Sequence, residues 1–394
     1  MIPLKKENNQ RRLAKNPFRW GNLFSINSTI SKLYIEPTTQ CNLQCRTCIR
    51  NSWEEQIGSM DMFVYRKLLS DLKTINSVNS IAFWGFGEPL AHPEITYMVA
   101  LAHEMDLKTE IITNGHLLDG DMARDLMQAG LDTVVVSMDG TTQTSYANIR
   151  HGGDFQRVME NIRTLNILRA KMSRRNPSVG LEFVIMKSNI NQLPDLAQSA
   201  RSMDADFIVL TNLLPCTEDM KDEILYWISA TSNYKGNRLR LNHDQMLPRL
   251  DLHREYLSPI LELFKRLNMT MPEIRNVSQE EYCPFIQKGS AAITWAGDVS
   301  PCIALMHSYR CYILGREKLI KRYLVGNIAQ EKIDAIWKKK NYRSFRDRVL
   351  KFDFAPCVQC GGCDFNEANE EDCIGNVHPV CGDCLWARNV LQCP

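Results

Sequence analysis

The sequence predicts an α/β protein: a partial (β/α)6, TIM-like barrel followed by a small, Cys-rich, loop-rich α+β domain. Three observations lead there. Short apolar runs alternate with helical stretches through the first half of the 394 residues. That rhythm stops near residue 216. The 14 cysteines are gathered mainly at two places, three between Cys41 and Cys48 and seven between Cys357 and Cys393. Strands alternating with helices of this length imply a parallel sheet built from βαβ units, whose chemistry sits at the C-terminal strand ends.

Residues 1–30 read as a polar N-terminal extension. Lys32–Glu36 (KLYIE) is the first expected strand. Ser80–Trp84, Lys108–Ile112, Thr133–Ser137, Gly180–Met186 and Phe207–Thr211 follow, with helices expected near Pro93–Met105, Gly120–Ala129, Phe155–Lys171 and Leu193–Met203. The resulting division is a core over 31–215, a helical bridge over 216–282 and a second domain over 283–394, with one helix near Ile333–Val349.

Composition narrows the function classes. Hydrophobic residues make up 44% and charged residues 23%, an ordinary globular balance. A formal net charge of +2 gives no reason to expect nucleic acid or an anionic membrane as partner. The first residues are basic and polar without an apolar core, and no apolar stretch is long enough to span a bilayer, so a cytoplasmic protein is expected. In a reducing cytosol, tightly clustered thiols are better explained by metal than by disulfides.

Cys41, Cys45 and Cys48 have the spacing C-x3-C-x2-C. Three thiolates on one short loop can hold three irons of a cubane and leave the fourth iron open to a ligand. The alternative is zinc, which normally takes four ligands from paired knuckles. His92 or His103 could complete such a site, but neither lies in a knuckle.

The next strand ends carry Trp84-Gly85-Phe86-Gly87-Glu88-Pro89, Thr113-Asn114-Gly115 and Ser137-Met138-Asp139-Gly140, with Arg150 beyond. Together with the cysteine loop, this series resembles the radical S-adenosylmethionine (SAM) family over about residues 31–211. The resemblance implies a [4Fe–4S] cluster on Cys41, Cys45 and Cys48. It implies SAM contacts at Gly85, Gly87, Glu88, Pro89, Thr113, Asn114, Ser137, Asp139 and Arg150. It also implies reductive cleavage of SAM to a 5′-deoxyadenosyl radical, fed by a reductant such as flavodoxin or ferredoxin.

Cys283 and Cys302, the latter preceded by Gly297 at G-x4-C, resemble the opening of a SPASM domain, which carries auxiliary [4Fe–4S] clusters. Cys357, Cys360, Cys363, Cys373, Cys381, Cys384 and Cys393 resemble its second half, although their spacing departs from the usual C-x2-C-x5-C-x3-C. The domain is thus expected to be an iron–sulfur domain with two auxiliary clusters. The expected grouping is Cys283, Cys302 and Cys373 at one, and Cys357, Cys360, Cys363 and one of Cys381, Cys384 and Cys393 at the other. Structural zinc knuckles at Cys357/Cys360 and Cys381/Cys384 are the alternative.

Cys216, just after the sixth strand, is a candidate hydrogen donor to a substrate radical, or simply a small core residue. Glu182 is a candidate acid or base. SPASM proteins mostly modify peptides or proteins. Thr211–Pro215, Glu371–Asn376, Cys381–Ala387 and Gln392–Pro394 resemble the maturases associated with tungsten-cofactor oxidoreductases. The expected partner is therefore a peptide or protein substrate, or a partner oxidoreductase or its cofactor. A small-molecule substrate and a non-enzymatic zinc protein remain the other readings.

Overall fold

The computed structural model describes residues 1–4, 29–231, 237–242, 245–269, 273–276, 283–358, 360 and 363–392. Cys393 lies outside the described residues.

Six parallel strands form the core: β1 (Lys32–Ile35), β2 (Ser80–Phe83), β3 (Lys108–Thr113), β4 (Thr133–Ser137), β5 (Ser178–Ile185) and β6 (Phe207–Asn212). They pair in sequence order, each parallel to the next. The intervening helices are amphipathic and capped. Asp61 accepts the Phe63 amide at 2.6 Å to open Met62–Leu72, which buries Tyr65, Leu68, Leu69 and Leu72 at helical spacing. Asp119 caps Gly120–Gln128, and Asp154 caps Phe155–Lys171, which buries Phe155, Val158, Ile162 and Leu165. These helices cover one face of the sheet, where Leu33, Ile35, Ile81, Phe83, Val134, Leu181 and Phe183 join the main core.

The second domain continues the same sheet. Strand β7 (Ser290–Ile293) lies parallel to β1, and β8 (Asp298–Ser300) and β11 (Gly326–Asn327) extend it antiparallel. Between β8 and β11 in the chain, β9 (Tyr309–Ile313) and β10 (Arg316–Ile320) make a hairpin. This domain also covers the second face of the core strands. Tyr34 and Ala82 pack there against Phe285, Ile303 and Met306. Burying both faces is what a parallel sheet requires.

Three expectations change. Ile2–Pro3, inside the stretch read as a polar extension, pairs antiparallel with β6. The bridge over 216–282 is only partly helical. Among the described residues it holds the helices Trp227–Thr231 and Arg254–Arg266, and the strands Asn237–Asn242, Gln245–Met246 and Glu273–Asn276 form a separate antiparallel sheet. The sequence NRLRLN alternates Leu with Arg and Asn, a period of two that outweighed the helical reading. The helix expected near Ile333–Val349 is two helices, Ile333–Lys338 and Lys340–Lys351, because Lys339 turns out of helical geometry at ψ 137°.

Among the described residues, no helix is long and apolar enough to cross a membrane.

Candidate active site and cysteine centres

The loop after β1 carries Cys41, Cys45 and Cys48, and the ends of β2, β3 and β4 close around it. Cys45 is paired antiparallel with Arg150, which sets the guanidinium over the loop. Arg150 Nη1 donates to Cys45 Sγ at 3.9 Å, and Asn114 Nδ2 donates to Cys41 Sγ at 3.8 Å. The thiols feel one another. Burial pushes Cys45 up to about 12, against the pull of Arg150, and the charges of Cys48 and Cys41 add to the rise. Burial likewise raises Cys48, which also feels Cys41.

Gly85-Phe86-Gly87-Glu88-Pro89 lies against the same loop. A Cβ on Gly87 would collide with the Thr38 carbonyl oxygen and come within 2.7 Å of the Gln40 carbonyl oxygen. The Glu88 amide donates to that Gln40 oxygen at 2.7 Å. Gly87→Ala therefore meets backbone that cannot rotate away. It is expected to lower stability by about 1–3 kcal/mol, the usual cost of overpacking, and to displace the cysteine loop. A thermal melt together with iron content per chain checks this.

Glu88 is buried, and both of its oxygens already accept bonds within the protein. Oε1 takes Thr113 Oγ1 at 2.6 Å and the Leu90 amide at 3.1 Å, and Oε2 takes the Asn114 amide at 2.8 Å. Its burial raises the carboxyl despite these donors. Glu88 thus locks the end of β3 and aims Asn114 at Cys41. Pro89 opens the short turn that Glu88 caps.

At the end of β4, Asp139 is fully buried. Its Oδ1 accepts the Val184 amide at 3.0 Å, and Oδ2 pairs with Arg150 Nη2 at 2.7 Å. The guanidinium therefore bridges Asp139 and Cys45. Burial is the strongest single influence and opposes its charge, but Asp139, Cys45, Tyr146 and Glu182 together hold Arg150 above its ordinary value. Ser137 Oγ donates to Glu182 Oε2 at 3.0 Å, and burial raises Glu182 to about 7.

The cofactor fit is tested by the donor set. Arg150 Nε is buried without a partner, beside a thiol trio that also receives an amide donor from Asn114. Cationic and N–H donors converging on thiols suit an anionic cluster and an anionic ligand group. The candidate contacts of the expected SAM site from Gly85 to Asp139 lie on these adjoining strand ends, and Arg150, which follows the helix Gln143–Ile149, joins them by pairing with Cys45.

The second cysteine group differs in membership from the expected one. Cys283, Cys302, Cys381 and Cys384 line one apolar cavity of about 60 Å³ with Phe285, Tyr309 and Trp386. Burial pushes Cys283 up to about 12, and its next influence is Cys384. Cys302 and Cys381 are raised by burial and by the same neighbours. Cys373 is not in this cavity. It is exposed and close enough to Cys357 for its charge to act there. Asp372 explains the placement: its carboxylate accepts the Ala355, Ile374 and Asn376 amides, tying the Cys373 turn to the segment before Cys357. Cys360 and Cys363 are exposed, and Arg316 holds the Cys360 and Cys357 carbonyls at 3.1 and 3.4 Å. Among the described residues, no three Cys, His, Asp or Glu side chains gather at the spacing of a single metal ion.

Cys216 is buried, its thiol directed at the Leu214 carbonyl at 3.4 Å, with Cys311 and Cys48 near enough to raise it. Cys311, which stands apart from the clusters in the sequence, lines the apolar cavity, and sequence reasoning missed the buried Lys318–Asp383 pair at 2.6 Å beside Cys384. It also missed Glu36, Glu55 and His307. A charged residue ending an apolar strand, as Glu36 does, was the available signal.

Residues 35–175 match the Radical SAM superfamily, and residues 283–364 match the SPASM iron–sulfur cluster-binding domain. The chain is 33% identical over 367 residues to the tungsten-containing aldehyde ferredoxin oxidoreductase cofactor-modifying protein of Pyrococcus furiosus, covering 92% of this chain and 96% of that protein. It is 26% identical over 286 residues to a probable GTP 3′,8-cyclase of Methanocaldococcus jannaschii, covering 70% of this chain and 85% of that protein. Among solved structures, Streptococcus suis SuiB bound to its precursor peptide SuiA aligns with a TM-score of 0.58 at 17% identity, covering 91% of this chain and 77% of that one. The native anSMEcpe structure with bound AdoMet aligns at 0.55 and 18% identity, covering 90% and 95%. At these identities the structures establish the shared fold. With the cysteine loop, the strand-end motifs and the full-length relative in agreement, the chain belongs to the radical SAM superfamily and carries a SPASM domain.

Proposed function

We propose that this enzyme is a maturase that cleaves SAM reductively and modifies a peptide, a protein or a protein-bound cofactor, with a tungsten-dependent oxidoreductase or its cofactor as the favoured target. The observation that carries the reading is the near full-length match to a protein named for modifying the cofactor of such an oxidoreductase. When bound, the cluster and SAM supply one-electron cleavage of a carbon–sulfur bond and hydrogen abstraction from the substrate. Cys41, Cys45 and Cys48 would hold the cluster. Gly85 and Gly87 let the edge pack closely against β1 and the cysteine loop, Glu88 and Pro89 fix the turn, Thr113 holds the Glu88 carboxylate, and Asn114 aims an amide donor at the loop. Arg150, held by Asp139, offers its charge to the SAM carboxylate, and Ser137 offers a hydroxyl near the ribose.

Glu182, at about 7, is poised to exchange a proton near neutrality. Cys216 is the candidate hydrogen donor. Cys283, Cys302, Cys381 and Cys384 would serve one auxiliary cluster. Cys357, Cys360, Cys363 and Cys373 would serve the other. A flavodoxin or ferredoxin would deliver the electron in the cytoplasm. The core over 31–215 and the auxiliary domain over 283–394 would form the two working parts.

The likeness to a probable GTP 3′,8-cyclase favours a second reading, a small-molecule substrate. The test is anaerobic incubation with SAM, dithionite and a tungsten-containing aldehyde oxidoreductase, followed by mass spectrometry of its protein and released cofactor. A mass change in either supports the maturase. Consumption of a free nucleotide with both unchanged supports the second reading.

A further inference from the structure

The strand end that carries Gly85-Phe86-Gly87-Glu88-Pro89 is braced from the other domain. Glu36, fully buried at the end of β1, accepts the Phe86 amide on Oε1 at 3.0 Å. Gly85 packs so closely that a Cβ would lie 2.7 Å from that oxygen, so neither residue has room to shift. The other oxygen of Glu36 lies 2.8 Å from His307 Nε2. His307 is itself buried, and its Nδ1 lies 2.5 Å from Glu55 Oε2. Glu55 Oε1 accepts the Ser308 amide at 2.7 Å, and Arg322 stands 3.7 Å from Oε2. Trp53 and Phe86 close over the imidazole with ring centroids at 4.6 and 5.7 Å. Each ring nitrogen thus faces a carboxylate oxygen. Only the imidazolium can donate to both, because a neutral ring would turn a lone pair toward one of them.

We infer that His307 is a positioning residue for the SAM site: as an imidazolium shared by Glu36 and Glu55, it fixes from the C-terminal domain the carboxylate that holds the Phe86 amide, and with it the glycine edge against the cysteine loop. The inference deepens the reading of that edge as the SAM site and rests on it.

The charged groups facing the ring are Glu36 from β1, Glu55 from the loop beyond the cysteines and Arg322 from the segment after β10. Burial alone would push the imidazolium down, but the bonds to Glu36 and Glu55 outweigh it and raise His307 to about 9. A folded value above the ordinary one of about 6.5 means that the brace is complete below that pH and is lost as pH rises through about 9.

The test is equilibrium dialysis of SAM against the full-length, iron-reconstituted protein across about pH 6 to 10. Wild type is expected to weaken as pH rises through the upper part of this range. His307→Gln is expected to bind about ten- to hundredfold more weakly near neutrality, the loss of a charge-assisted hydrogen bond, and to lack that upper transition. Glu55→Gln keeps the inner Glu36 contact; it is expected to bind with a smaller loss and to move the transition to lower pH. If His307→Gln does not fold, the shift in Glu55→Gln decides. Wild-type affinity and an unchanged pH profile in the variants would overturn the inference. Wild type that binds no SAM at any pH would instead remove the reading of the edge as a SAM site, and the inference with it.

Discussion

Replacing Arg150 with Met is expected to destabilise the protein by about 3–5 kcal/mol, the usual cost of leaving one charge of a buried pair behind. Asp139 would keep only its Val184 amide bond and would sit fully buried as an uncompensated carboxylate. Cys45 would lose its N–H···S donor at the same time. Chemical denaturation and SAM affinity together report both losses. The double variant Asp139→Asn/Arg150→Met removes the stranded charge and is expected to recover much of the stability without recovering SAM binding. Lysine at 150 is expected to restore only part of either. The guanidinium reaches Asp139 with Nη2 and Cys45 with Nη1, whereas an ammonium offers one point of charge. Equal stability for Arg150→Met and the double variant would show that Asp139 is not a stranded partner.

Cys45→Ala is expected to abolish SAM cleavage and to lower iron by about four per chain, the content of one cubane, leaving the auxiliary set intact. Cys384→Ala is expected to lose a similar amount of iron from the other cysteine group. Cys384 sits in a cavity shared with Cys283, Cys302 and Cys381, whereas Cys45 is tied to Arg150 on the core. Burial raises both the Cys45 and the Cys283 thiol, and ligation of iron would release their protons. Iron and acid-labile sulfide analysis of the two variants checks the separation. Loss of all iron from either one would mean that the centres do not assemble independently.

The core was readable because its signals are local. Runs such as TVVVS and FIVLT are short, β-branched and bounded by turns, and the helix Phe155–Lys171 buries residues at helical spacing. The cysteine trio was readable because all three members share one loop. What failed depended on distant parts of the chain. The spacing of the last seven cysteines permits many groupings. Packing of Trp386 and Phe285 brings Cys381 and Cys384 to Cys283 and Cys302, and the Asp372 turn carries Cys373 to Cys357. The bridge was misread because the composition of 216–282 is polar and helix-compatible, while its two-residue alternation is confined to a few residues. The pairing of Glu36 and Glu55 with His307 was invisible for a related reason. Glu36 ends an apolar strand, but it lies 271 residues from His307 in sequence and nothing local links the two. Glu88 carries the reverse lesson. Its motif was plain, but the bonds its carboxylate accepts from Thr113, Asn114 and Leu90 were not legible in it.

The most direct test of the central claim is chromatography of SAM products after anaerobic incubation of reconstituted wild-type protein with SAM and dithionite. The account predicts 5′-deoxyadenosine and methionine in equal amounts, absent without reductant and absent in Cys45→Ala. Intact SAM in every sample, from protein carrying its full iron and sulfide, would contradict it.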